Sequence, residues 1–147
     1  MSMSNSFETE LLELIFNNAA IANIGDAGGL QPSATAGSLY VSLHSADPGE
    51  AADQTTSEVA YTDYARVAVA RSAGGWTVSG NTASNTALIQ FPQCGAVGAT
   101  ATYVGIGTVA EPGAGLLLYS GQLGTSLTIA NLITPQFAPG ALDCVAD

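Results

Sequence analysis

Lysine is absent from this chain, and only Arg66 and Arg71 oppose twelve acidic residues, giving a formal charge of −10. Nucleic-acid binding draws on Lys and Arg to displace counterions from phosphates, so this composition predicts no nucleic-acid partner. Anionic lipid would repel the chain for the same reason. No apolar run approaches the roughly 20 residues of a membrane span. The start MSMSNSFETE lacks the basic and apolar stretches of a signal peptide. A soluble, unexported protein is expected, with no membrane partner. Cysteine is nearly absent too: Cys94 and Cys144 lie far apart, with no CxxC and no adjacent His, which excludes a zinc pattern. They form either one disulfide or two buried thiols. Charge of any sign is scarce, at 10% of residues, against roughly a quarter in a typical soluble domain. A surface so thinly charged is poorly defended against sticking to neighbours, which points to contact surface in an assembly.

What is present fits one domain of 147 residues. Phe7, Leu11, Leu14, Ile15 and Ala22 recur at helical spacing, with Leu12, Ile21 and Ile24 widening the stripe. Asn5 and Glu8 fit a capping box, and Gly25 a helix stop. This helix either packs on its own domain or reaches onto a neighbouring subunit. In the second case Phe7, Leu11, Leu14 and Ile15 are the candidate oligomer or partner contacts. Residues 1–25 are read as an N-terminal helical arm, 26–37 (DAGGLQPSATAG) as a loop or tether, and 38–147 as a β domain.

From Leu39 onward the period becomes two. Leu39, Val41 and Leu43 alternate with Tyr40, Ser42 and His44, marking a half-buried strand. The acidic stretch from Ala46 to Asp63 reads as an exposed loop. Further strands are expected at 65–71, around Trp76 and Val78 after the Gly74-Gly75 turn, and at 87–91, 101–106, 116–123, 127–132, 135–138 and 141–145. Eight or nine short, evenly spaced strands predict a mainly β fold. The expected form is a single β-sandwich or jelly-roll-like domain of about eight antiparallel strands with one N-terminal α-helix. No repeat of 20–50 residues suggests a solenoid or long shaft.

The chain carries no enzyme signature. His44, the single histidine, stands beside Ser45 and Asp47, but triad members converge from separate places and no GxSxG elbow occurs. Gly105 and Gly107 lack the GK[ST] of a phosphate loop and mark a bulge or close backbone approach instead. Asp47, Glu50 and Asp53 could offer calcium several oxygens from one loop, yet Pro48 and Gly49 fit an ordinary turn, and no metal site is assigned. Exposed aromatics such as Tyr40, Tyr61, Tyr64 or Trp76 would be the platform if the chain were a carbohydrate-binding module. No catalytic residue and no cofactor are expected.

Four stretches carry a family resemblance: FETELLELIF with NNAAIANIGDAGGLQPSATAGSLYVSLHSADPGE behind it, EVAYTDYARVAVARSAGGWTVSGNTASN, LIQFPQCG, and NLITPQFAPGALDCVAD. They resemble small structural proteins of tailed bacteriophages commonly labelled phage tail fibre protein. The most specific pieces are Leu39–Glu50 and Tyr64–Asn81, and Pro139, Asp143 and Cys144 depart from the family's alternating last strand. The resemblance implies a virion structural protein, made in the bacterial cytoplasm, where free thiols are favoured over a disulfide. With the acidic balance, short length and lack of repeats, it leads to a capsid decoration (cement) protein on the outer head shell. That protein would be a homo-oligomer, dimer or trimer, bound to the major capsid protein. The alternative is a tail or tail-fibre component bound to tail proteins.

Overall fold

The computed structural model describes residues 2–146; Met1 and Asp147, the outermost positions of the expected arm and β domain, lie outside the described residues. The elements are α1 (Asn5–Asn17), β1 (Ser38–His44), β2 (Val67–Ala70), β3 (Trp76–Ser79), β4 (Thr82–Asn85), β5 (Ile89–Gln90), β6 (Ala99–Gly107), β7 (Leu117–Ile129), β8 (Gln136–Phe137) and β9 (Asp143–Val145). They form three antiparallel sheets, ordered β2-β1-β6-β7, β3-β4-β9 and β5-β8. The mainly β class with a single N-terminal helix is as the sequence predicts. Two expected strands, 116–123 and 127–132, are one 13-residue strand, β7. The polar strand β4 (TASN) has no apolar alternation to betray it.

The chain forms two compact units. Among the described residues the first gathers 2–38, 69–88 and 137–146. Its cap lies one residue before the expected Asn5: Ser4, in extended conformation, accepts the Phe7 amide on its Oγ at 3.4 Å. It also stops well short of Gly25, because Asn18 turns left-handed (φ 56°) and its N–H returns to the Glu13 carbonyl. Ile21, Ala22 and Ile24 therefore belong to the following loop. The buried helix residues are Leu12 and Phe16, whereas Phe7, Leu11, Leu14 and Ile15 are half-buried. Phe16 meets Trp76 of β3 edge-on at 4.8 Å between ring centroids. Ala83, Leu142, Cys144 and Ala146 complete this core. Asn85, 1% exposed, serves it as a polar pin: its side chain donates to Ala87 and Ala138 carbonyls and accepts the Leu142 amide.

The segment expected as a tether begins as a closed turn. Ile21 and Leu30 exchange backbone hydrogen bonds at 3.0 and 2.8 Å, and Asp26 Oδ1 accepts the amides of Gly28 and Gly29. Gly29 sits at φ +62°, and a Cβ there would lie 1.9 Å from the Ile21 carbonyl oxygen, so only glycine closes this turn.

The second unit, residues 39–68 and 89–136, is built on β1, β6 and β7. β1 pairs with β6 in register Ser42↔Gly105 and His44↔Tyr103. β1 is not half-buried as alternation implies: Val41, Ser42, Leu43 and His44 are all buried. The acidic segment, read from sequence as an exposed loop, is what covers its polar face. Ser45 and Val59 donate backbone hydrogen bonds to Ser57 and Leu43, and Pro48, Gln54, Val59 and Tyr61 are buried. The β6–β7 ladder shifts twice, between Ala101 and Tyr103 and between Ile106 and Gly107.

Candidate functional site

Within the second unit the acidic segment is fastened down by a set of polar side chains. His44 is fully buried; its Nδ1–H donates to the Thr56 carbonyl and its Nε2 accepts from Ser42 Oγ, both at 2.8 Å. Thr56 offers only an acceptor, which fixes the neutral tautomer. Burial lowers the His44 pKa, partly opposed by the Thr56 hydrogen bond and the charge of Glu58. Gly105 and Gly107 make room for these groups: a Cβ on Gly105 would stand 2.5 Å from His44 Nε2, and one on Gly107 would stand 2.0 Å from Gln54 Cδ. Gln54, fully buried, receives the Val109 amide at 3.0 Å and donates to the Tyr40 carbonyl.

Beside it, Arg66 and Glu58 form a two-pronged ion pair, with Nε–Oε1 and Nη2–Oε2 both 2.7 Å and side chains 1% and 9% exposed. Arg66 Nη1 donates to the carbonyls of Val109 and Gly113, so one guanidinium ties the acidic segment to the β6–β7 connection. Donating these hydrogen bonds to the Glu58 carboxylate raises the Arg66 pKa further. Tyr64 donates to Glu58 Oε1 at 2.8 Å, and burial pushes its phenol well above the usual range. Tyr61 donates to the Pro92 carbonyl and is pushed up to about 12, again by burial.

The other arginine does parallel work in the first unit. Arg71 donates from Nε to the Ile15 carbonyl and from Nη2 to the Leu14 carbonyl, both at 2.6 Å, and from Nη1 to the Ala36 carbonyl and Ser33 Oγ. The last four carbonyls of a helix lack partners within it, and α1 has no basic residue in its last turn. A guanidinium from beyond β2 supplies the missing donors and the positive charge a helix C-terminus favours. The sequence hint was that absence of a cation from the helix end. Nothing in the spacing says which arginine answers it.

The candidate residues separate accordingly. His44 does not meet Asp47, which is exposed and bonded to the Gly49 amide at 2.9 Å. Ser45 Oγ donates to the Ser57 carbonyl instead of to His44. Asp53 Oδ1 accepts from Thr55 N and Oγ1, which holds its carboxyl below the usual range. Asp47 and Asp53 thus cap their own turns, and among the described residues no group of three or more His, Cys, Asp or Glu converges as a metal site. Of the aromatics that would serve a carbohydrate-binding module, Trp76 and Tyr61 are buried, packed edge-on against Phe16 and Tyr64 respectively, and Tyr40 and Tyr64 are half-buried. Cys94 and Cys144 are free and buried, and burial pushes the Cys144 thiol up to about 12. Among the described residues no helix is long and apolar enough to cross a membrane.

These features define a small acidic antiparallel β protein whose buried ionisable groups hold loops in place. The family model described as podophage GP4 fiber I protein gp80 matches residues 2–144, and the chain belongs to that family of phage virion structural proteins. The phage tail fibre resemblance read from the sequence is borne out by that match. No curated protein matches the chain.

Proposed function

We propose that this chain is a non-enzymatic component of the phage tail, built into or onto a fibre, and that it acts by binding other virion proteins. The observation that carries this reading is the match over residues 2–144 to a family described as a fiber protein. It favours the tail over the capsid-decoration reading, for which the match gives no support. The sparse, acidic charge that suggested an outer-shell position suits an outward-facing tail appendage equally. A binding role is also supported by how the reactive groups are used. His44 is sealed against Ser42 and the Thr56 carbonyl, and Arg66, Glu58 and Tyr64 satisfy one another.

Partners of this reading are other tail proteins and further copies of the chain. The half-buried helix residues Phe7, Leu11, Leu14 and Ile15 are offered as contacts to such partners. Separating heads from tails and quantifying the chain by mass spectrometry tests the location. The chain is expected in the tail fraction at constant stoichiometry, and recovery with tail-free heads would overturn the reading.

A further inference from the structure

The four-stranded sheet has two edges, and they are protected very differently. Natural sheets blunt free edges by shortness, charge, proline or cover. At one edge β2 is four residues long and bracketed by Arg66 and Arg71. At the other, β7 runs for 13 residues, LLYSGQLGTSLTI, without a charge or a proline. Gly49, Glu50 and Ala52 lie across a cavity of about 260 Å³ from Leu117–Ser120, next to the start of the strand. Along the strand Gln122 and Thr128 are exposed while Leu123 and Leu127 are half-buried. The shift between Ala101 and Tyr103 sets Leu123–Ser126 opposite Thr102 alone, a bulge that interrupts the ladder. Among the described residues it leaves the flanking runs Gly121–Gln122 and Leu127–Ile129 paired with β6 on one side and with no strand of the sheet on the other.

We propose that β7 is the seam between two copies of this chain, paired antiparallel along Gly121–Ile129 so that each sheet continues into its partner's. Charge decides for a second copy. Two chains at −10 repel wherever their acidic surfaces meet, and nine of the twelve acidic residues precede Tyr64. From Pro112 to Leu142 there is no charged residue at all, and β7 is the long strand of that stretch. A basic partner would be drawn instead to the acidic segment at Asp47–Asp63. Since β2 is guarded, the four-stranded sheet of each copy offers one open edge, and identical edges meeting across a two-fold axis form a closed pair rather than a filament. This pairing goes beyond the proposed tail location and does not depend on it.

The test is light scattering after size exclusion on the full chain and on a Gln122→Glu/Thr128→Glu variant, both substitutions being at exposed positions. Like charges across paired strands oppose pairing. The unaltered chain is expected at twice its 14.7 kDa mass and the variant at 14.7 kDa, with circular dichroism and melting unchanged. Amide exchange at Gly121–Ile129 should slow with rising protein concentration only in the unaltered chain. A monomer at 100 µM, another stoichiometry, or a dimer that survives both substitutions would overturn the proposal.

Discussion

His44 shows how a polar residue can be read correctly as a strand position and wrongly as half-exposed. Its alternation with Leu43 places it opposite the apolar face, but the acidic segment folds back over that face and buries it. Because its folded pKa is lowered from 6.5 by burial, the unfolded chain takes up the proton first as pH falls. Stability is then full above about pH 6.5 and declines below it, toward the folded pKa, by at most about 1.4 kcal/mol per pH unit for one proton. Urea unfolding between pH 7.5 and 5 should show this decline, and His44→Gln should flatten it even though the substitution itself destabilises. Gly105 makes a second residue-scale case. Its Cβ would crowd both His44 and Ser42 Oγ, the latter at 2.8 Å, so Gly105→Ala should cost about 1–3 kcal/mol as an overpacked core does. The glycine was legible from the sequence as a close-approach marker. What approaches it was not, since that depends on cross-strand register with Ser42.

At the scale of elements, period-two patterning found most of the strands, and helical spacing found α1. Boundaries were legible only where a backbone signal coincided with the pattern. Asn18 ends the helix through a left-handed turn that an apolar stripe running on to Ile21 and Ile24 conceals. Strand β4 pairs through its backbone with β3 and β9 while presenting Thr, Ser and Asn, so no hydrophobic rhythm announces it. Arg71 is the connection between elements that matters most to α1. Arg71→Gln removes a charged donor from two terminal helix carbonyls, and hydrogen bonds of that kind contribute about 1.5–3 kcal/mol. Amide exchange should then speed up in Leu14–Asn18 and leave β6 protected. Uniform loss across the chain would mean that Arg71 is not a local staple.

For the whole molecule, composition carried the broad class and the family match carries the biology. Two arginines in 147 residues are each committed to holding one unit together, through four hydrogen bonds apiece to atoms of their own unit. The acidic charge thus stays unbalanced on the outside while the cations work inside. Units assembled from separated stretches of chain, such as 2–38 with 69–88 and 137–146, leave no trace in local periodicity. Location in the particle is likewise a property of partner surfaces, and an acidic, thinly charged exterior fits head and tail alike. The most direct measurement is a cryo-EM map of the intact virion into which the two β units are fitted. Density for them confined to tail appendages, in pairs related by a two-fold at β7, is the predicted result. Hundreds of copies arrayed on the head shell would contradict the account.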